Sequence, residues 1–199
     1  MTRVGIGIDI DIGRARPDER DALVTLGRES YRAHNGHLWS DDGLIRHLAR
    51  RFDPGAVLAD LASPTVEYLV AREGGALAGY AKAVLERPVP GHQETGIELE
   101  RLYLDASRTG QGVGTALLGA VTALARENGC RVWLDVLKPN REARRFYERH
   151  GFETIGELPF ATDRGAFGFW IMRQSANVET LRSLGDIAIR SGHPGRDWE

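Results

Sequence analysis

The stretch from Arg108 to Gly129, RTGQGVGTALLGAVTALARENG, places three glycines, Gly110, Gly112 and Gly114, directly ahead of an unbroken helical pattern. Val113, Leu117, Leu118, Val121 and Leu124 recur at helical spacing and form one apolar face. A helix start leaves about four backbone N–H groups without partners, and the helix dipole adds roughly half a positive charge there. Glycine lets those amides approach an anion with no Cβ in the way. A strand entering such a loop and a helix leaving it make a phosphate cradle. Gly110, Gln111, Gly112, Val113, Gly114 and Thr115 are the expected donors around a pyrophosphate, Thr115 adding a hydroxyl. On this stretch alone, a plain turn with close helix packing explains the glycines equally well. A Walker loop is excluded, because no Gly-Lys-Ser/Thr follows, and the glycine spacing is not that of a dinucleotide fingerprint.

The flanks supply the rest of the fold. Before the loop, IELERLYLD (97–105) alternates as a strand does. After it, CRVWLDVL reads as a short, central strand, and NREARRFYERHG as a helix with Asn140 as N-cap and Gly151 as stop. FETIGEL and GAFGFWIMRQ are two further strands. Toward the N-terminus, RVGIGIDIDIG has strand alternation, and RPDERDALVTLGRESYRA is helical with Pro17 in the first turn. SDDGLIRHLARRF is a helix capped by Ser40, and DPGAVLADLAS is a shorter one ending before Pro64. VEYLVAREGGALAGYAKAVLE reads as a hairpin about Gly74-Gly75, followed by the loop RPVPGHQETG. Strand–helix–strand implies a parallel pair, and the hairpins imply antiparallel ones. The class is α/β with a mixed sheet and helices on its faces.

Composition narrows the function. The 199 residues suit one domain with a real core. A net charge of −2 offers no basic excess for nucleic acid. No apolar run reaches the roughly 20 residues that span a membrane. The N-terminal stretch does not read as a signal peptide. The single cysteine, Cys130, cannot form an internal disulfide, and a cytoplasmic setting is expected. Cys130 reads as inert packing at the start of its strand.

The ordered set LERLYLDASRTGQGVGTALL, VWLDVL and NREARRFYERHGF resembles the GNAT superfamily of acyl-CoA-dependent N-acyltransferases. The resemblance runs from about Arg3 to Arg173. It implies a single-domain, mainly antiparallel mixed sheet with helices on both faces and a parallel pair splayed at an acetyl-CoA site. Residues 1–174 would be this domain and 175–199 a mobile C-terminal tail. By the same resemblance, Leu102, Tyr103 and Leu104 present backbone to the pantetheine arm, and residues 110–115 hold the pyrophosphate. Asn140 reaches the CoA arm, and Tyr147 stands near the thioester sulfur as general acid. The family loop usually begins with arginine or glutamine where this chain has Thr109, with Arg108 one position away. A homodimer follows from family analogy alone.

The chemistry agrees. A thioester is attacked by a neutral amine, the resulting oxyanion wants a backbone N–H, and the departing thiolate wants a proton donor. Asn140 and Tyr147 are seven residues apart, about two helical turns, so both can lie along one face. Tyr147 as an ordinary packing aromatic remains the alternative. Glu98 and Glu100 share one strand face; Glu98 is ranked first as base, with solvated ion pairing as the alternative. The long helical insert before SPTVEYLVAREGGALAGYAKA is similar to bacterial spermidine/spermine acetyltransferase-like members. A polyamine acceptor would favour carboxylates, and Asp41, Asp42, Glu67, Glu94, Glu98 and Glu100 are candidates. His34 and His37 read as loop histidines rather than metal ligands, since no third ligand sits at zinc-site spacing. Tyr31 and Trp39 either wall the acceptor pocket or pack the core. The reading is an acetyl-CoA-dependent N-acetyltransferase of a small-molecule or peptide amine, with no metal. The alternatives are a protein N-acetyltransferase and a catalytically silent CoA-sensing module.

Overall fold

The computed structural model describes residues 10–175. Residues 3–9 of the expected N-terminal strand and nearly all of the expected C-terminal tail lie outside the described residues. Strand β1 (Ile10–Arg14) leads into a single 3-10 turn opened by Pro17 and then α1 (Arg20–Asn35). Helix α2 (Asp41–Arg51) starts where Ser40 accepts a hydrogen bond from the Gly43 amide, and α3 (Pro54–Leu61) where Asp53 accepts one from the Ala56 amide. Strands β2 (Val66–Glu73) and β3 (Ala76–Pro88) form the expected hairpin about Gly74-Gly75. Then come β4 (Thr95–Leu104), α4 (Val113–Glu127), β5 (Val132–Leu137), α5 (Arg141–Arg149) and β6 (Phe152–Leu158). A small hairpin, β7 (Ala161–Thr162) and β8 (Gly165–Ala166), precedes β9 (Phe169–Gln174).

Several boundaries differ from the sequence reading. Strand β3 continues through Arg87 and Pro88, which were expected in a loop, because they pair with Thr95 and Gly96 of β4. GAFGFWIMRQ is two strands, broken where Gly168 takes φ +72°. Cys130 precedes β5 rather than starting it; it is half-buried, its thiol directed at the Ala125 carbonyl at 3.6 Å.

The main sheet has seven strands in the order β1-β2-β3-β4-β5-β9-β6. β4 and β5 run parallel and every other neighbouring pair antiparallel. One face carries α4 and α5: Leu117, Leu118 and Val121 pack on Ala81, Ala83, Leu99 and Leu134. The other carries α1, α2 and α3: Leu23, Val24, Leu48, Phe52 and Val57 pack on Tyr68, Val70 and Tyr80. No helix among the described residues is long and apolar enough to cross a membrane.

The parallel pair is short. Ile97 faces Val132 and Glu98 faces Trp133, and there the ladder ends. Just beyond, Lys82 pairs with Arg101 and Ala83 with Leu99, so Glu100 is the extra residue of a bulge. Bulges bend a strand and tighten its twist, and β4 leaves β5 at this point. At the closed end, the Gly96 Cα lies so near the incoming chain that a Cβ would meet the Arg131 carbonyl at 2.5 Å. That carbonyl also accepts the Ile97 amide at 3.0 Å.

Gly96→Val is therefore expected to push β5 away at its first pair. Overpacking of this kind typically costs about 1–3 kcal/mol, and each kcal/mol lowers Tm by roughly 2–4 °C in a chain of this size. Thermal unfolding of the variant against wild type checks it; an unchanged Tm would mean that the two strands have slack here.

Candidate active site

The glycine loop is braced from both sides. Asp105 caps the single turn Ala106–Arg108 by accepting from the Ser107 amide at 2.9 Å. Gly110 and Gly112 take φ of +79° and +84°, backbone that side chains rarely adopt, and Gly112 is the N-cap of α4. The amides of Val113, Gly114 and Thr115 open the helix, where no intrahelical carbonyl reaches them. Gln111 turns its side chain back, donating from Nε2 to the Ser107 carbonyl at 2.7 Å. Arg108 is ion-paired with Glu73 and so is drawn toward the end of β2.

The Thr115 hydroxyl has a partner within the fold. Its Oγ1 lies 3.1 Å from His150 Nε2, and His150 Nδ1 lies 2.7 Å from the Phe146 carbonyl. A carbonyl only accepts, so Nδ1 carries the proton and Nε2 of the neutral ring accepts from the Thr115 hydroxyl. Thr115 thus contributes its amide to the loop, while its hydroxyl proton is directed at His150.

Past Glu98, one backbone edge of β4 is unpaired with β5, and Leu102, Tyr103 and Leu104 lie on it. Leu102 and Leu104 pack toward α4, whereas the Tyr103 ring sits on the opposite face against Phe52 and Tyr80, at 5.8 and 5.7 Å between centroids. Asn140 caps α5, its Oδ1 accepting from the Ala143 amide at 3.0 Å, which leaves its amide nitrogen as the group free to donate. Tyr147 is buried between the rings of Phe146 and Phe152, deeper than Asn140 at the helix start. Burial, with Tyr103 and Asp135 nearby, holds the Tyr147 phenol well above its ordinary pKa. The structure thus brings the glycine loop, the open edge of β4, and Tyr147 to one gap in the sheet.

The acidic candidates do not converge. Glu67 pairs with Arg14 at 2.8 Å on β2, and Glu94 pairs with Arg131 at 2.6 Å and with Arg173 beyond the closed end of the ladder. Asp41 and Asp42 are exposed in the first turn of α2. Glu98 is buried and accepts from Arg87 Nε at 2.8 Å. Glu100 bridges Lys82 at 2.9 Å and Arg101 at 3.1 Å. Burial opposes the Glu100 charge, but Arg101 and Lys82 outweigh it and hold the carboxyl below its usual range.

The carboxylate that the sequence reading missed is Asp135. It is exposed in β5 while the five other residues of that strand are buried. Burial by the surrounding walls, opposed by Arg51 and reinforced by Glu98 and Glu100, pushes its carboxyl up to about 6. Its side chain is exposed where β4 has parted from β5. The signal was present as one charge inside VWLDVL, but period-2 exposure alone does not separate such a gap from an ordinary strand face.

The β7–β8 hairpin straps onto the start of α2. Asp163 accepts from the Ser40 amide at 3.0 Å and binds the Ser40 hydroxyl, and Thr162 Oγ1 donates to the Leu38 carbonyl at 2.5 Å. Beside this strap, Trp39 donates from Nε1 to the Tyr31 hydroxyl at 3.2 Å and stacks on His47 at 4.3 Å. Tyr31 belongs to the buried core on this face, with Trp39 packed against it. A cavity of about 510 Å³ opens beside the same hairpin, lined by Lys138, Phe160, Phe167 and Gly168 among others. His34 lies in the last turn of α1, not in a loop, with Nδ1 2.9 Å from the Ser30 carbonyl; His37 lies in the turn that follows. No group of three or more His, Cys, Asp or Glu among the described residues is placed to hold a metal.

This geometry accords with what the chain is similar to. The model of the acetyltransferase (GNAT) family matches residues 25–152, and the chain belongs to that family. It is 36% identical over 101 residues to an uncharacterized N-acetyltransferase of Mycobacterium tuberculosis, covering 50% of this chain and 61% of that protein. It is 34% identical over 103 residues to the N-alpha-acetyltransferase RimI of the same organism, covering 52% and 62%. A spermine/spermidine N(1)-acetyltransferase of Bacillus subtilis matches at 34% over 89 residues, 43% of this chain and 59% of that one. The matches thus span about three fifths of these relatives' length. Among solved structures, the PaiA N-acetyltransferase of Thermoplasma acidophilum in complex with coenzyme A superposes with a TM-score of 0.70 at 20% identity, over 84% of this chain and 99% of that one. At that identity the likeness speaks for the fold.

His47 makes the core on the α1–α3 face sensitive to acid. Both ring nitrogens are buried without partners among the described residues. Burial, aided by Arg51 and Arg50, lowers its pKa to about 4. Unfolded, the ring titrates near 6.5 and so binds a proton that the folded ring refuses between pH 6.5 and 4. Stability is therefore complete above about pH 6.5 and falls as pH drops toward 4, by at most about 3 kcal/mol from this group. Denaturant unfolding of wild type and His47→Phe from pH 7 to 4 measures it; the variant is expected to lose less stability on acidification, and equal losses would refute the assignment.

Proposed function

We propose that the protein is an acetyl-CoA-dependent N-acetyltransferase that acetylates a primary amine. The observation that carries this reading is the parting of β4 from β5 beside a glycine loop that opens a helix. The gap leaves a strand edge able to pair with an amide-containing arm, and the loop offers clustered N–H donors to a pyrophosphate. A Cβ at Gly110 would meet nothing within 4 Å, so the mouth of the loop has room for a ligand. In this reading the amides of residues 110–115 hold the pyrophosphate, the backbone of Leu102, Tyr103 and Leu104 holds the pantetheine arm, and the Asn140 amide nitrogen donates to it. An N–H on the unpaired edge of β4 receives the carbonyl oxygen, whose negative charge grows as the amine attacks.

Tyr147 protonates the departing sulfur. Its raised pKa keeps the phenol protonated across the working range. A thiol of ordinary pKa near 8.5 is the stronger acid of the two, so the transfer runs uphill and its benefit sits at the low end of general acid catalysis. Glu98, held by Arg87, lends negative charge to the acceptor side. The acceptor is a small-molecule amine or the amine of a peptide. A polyamine preference finds little support in the acidic residues, which are dispersed and mostly bound by arginine or lysine.

The test is acetyl-CoA consumption with spermidine, spermine and a peptide bearing a free N-terminal amine. Turnover of at least one is expected, and none, with no thermal shift on adding CoA, would end this reading. Gly112→Asp should abolish the CoA-induced shift, which for wild type at a hundred times the dissociation constant corresponds to about 2.7 kcal/mol. A retained shift would reduce the loop to a turn.

Tyr147→Phe keeps the ring and removes the proton. Turnover is expected to fall about 100-fold or somewhat less, with CoA affinity unchanged. Full turnover under chemistry-limited conditions would return Tyr147 to a packing role.

A further inference from the structure

We propose that Asp135 is the group that takes the proton from the acceptor ammonium. This inference rests on the N-acetyltransferase reading and adds a residue to it. Four observations carry it.

The first is position. The β4–β5 ladder ends at the pair Glu98–Trp133, and Asp135 is the next residue of β5 on the same face as Trp133, the first to look into the gap. The second is its surroundings. Trp133 and Ile171, its neighbours along and across the sheet on that face, are buried and apolar and belong to one small cluster. On the side of the gap the groups that act on it are Arg51 of α2 and Glu98 and Glu100 of β4, and its charge is felt by Tyr147 of α5. The third is availability. Glu98 is engaged by Arg87, and Glu100 by Lys82 and Arg101, whereas Asp135 has no hydrogen bond or ion pair among the described residues. An incoming ammonium thus meets one unengaged carboxylate. The fourth is proximity: the Asp135 charge is felt at the Tyr147 phenol, so a base and an acid serve the same site.

The step balances as follows. The Asp135 carboxylate accepts one proton from the ammonium, leaving the nitrogen lone pair free. That pair forms the C–N bond at the thioester carbonyl carbon, and the carbonyl electrons move to oxygen. Collapse breaks the C–S bond, the electron pair leaves on sulfur, and sulfur takes the Tyr147 proton. The proton remaining in excess on nitrogen restores the phenol, and Asp135 releases its own proton to solvent. One acetyl group moves and one proton is released.

Asp135 in its charged form with the ammonium makes a different pH profile from unaided attack. With the base, kcat/KM is flat from about pH 6, where Asp135 ionises, up to the pKa of the amine. Without it, kcat/KM follows the neutral amine and rises tenfold per pH unit over that range. The experiment is kcat/KM against pH for whichever of spermidine, spermine or the peptide amine is turned over, with wild type, Asp135→Asn and Asp135→Glu, beside the CoA-induced thermal shift of each. A plateau is expected for wild type. Asp135→Asn should be about 100-fold slower at pH 7, with the deficit shrinking as pH rises, and with an unchanged CoA shift. Asp135→Glu should keep the plateau with a smaller loss. A wild-type profile that rises throughout overturns the proposal without any variant, and so does an Asp135→Asn deficit that is the same at every pH. Wild type that binds CoA and turns over an amine while Asp135→Asn matches it overturns this inference alone. No turnover of any amine by wild type overturns the reading beneath it as well.

Discussion

The two-pair parallel ladder between β4 and β5 is the constraint on which the rest of the site depends. A parallel ladder usually continues as long as both strands last, because each unpaired N–H and C=O facing the interior is costly. Here it stops after Glu98 and Trp133. What stops it is local: the extra residue Glu100 bends β4, and the chain at Gly96 and Arg131 clamps the other end so tightly that the strands open in one direction only. The resulting gap has backbone donors on one wall and a helix start at its mouth. Those are two ways to bind a polar ligand without a dedicated side chain.

The gap also separates two environments. On the α4 and α5 side, the core is largely aliphatic, and Tyr147 enters it as a buried aromatic. On the α1 to α3 side, aromatic rings and buried charges are interleaved: Arg101 stands 5.1 Å over the Phe52 ring and Arg51 5.7 Å from that of Tyr31. Buried ion pairs such as Lys82 with Asp60 and Glu100 add little net stability, since desolvation offsets attraction, but they hold groups in place. In this protein they occupy the carboxylates nearest the gap and leave Asp135 unengaged. The hairpin strap closes over the same side through Asp163, which binds Ser40 at the start of α2 where the helix dipole favours a negative charge. A Cβ on Gly43 would come within 2.1 Å of that carboxylate, so the glycine in SDDGLI is a condition of the strap.

Much of this architecture was legible in the chain because its causes are local. Ser40 and Asn140 cap the helices they were expected to cap, and Asp53 does the same for α3, since a short polar side chain can reach an amide three residues on without help from elsewhere. Gly74-Gly75 turns a hairpin, and the glycine loop opens α4, because backbone geometry at those positions is set within a few residues. Sequence alone therefore determined most of the element order, the mixed sheet, the glycine loop at the start of α4 and the family to which the chain belongs. The tertiary structure decided what depends on pairs far apart in the chain: that Thr115 spends its hydroxyl on His150, that the acidic residues scatter rather than gather, and that His47 is enclosed without a partner. It also decided that Asp135 is exposed beside the gap, because exposure on a strand is a property of what the neighbouring strand does, and here the neighbouring strand turns away.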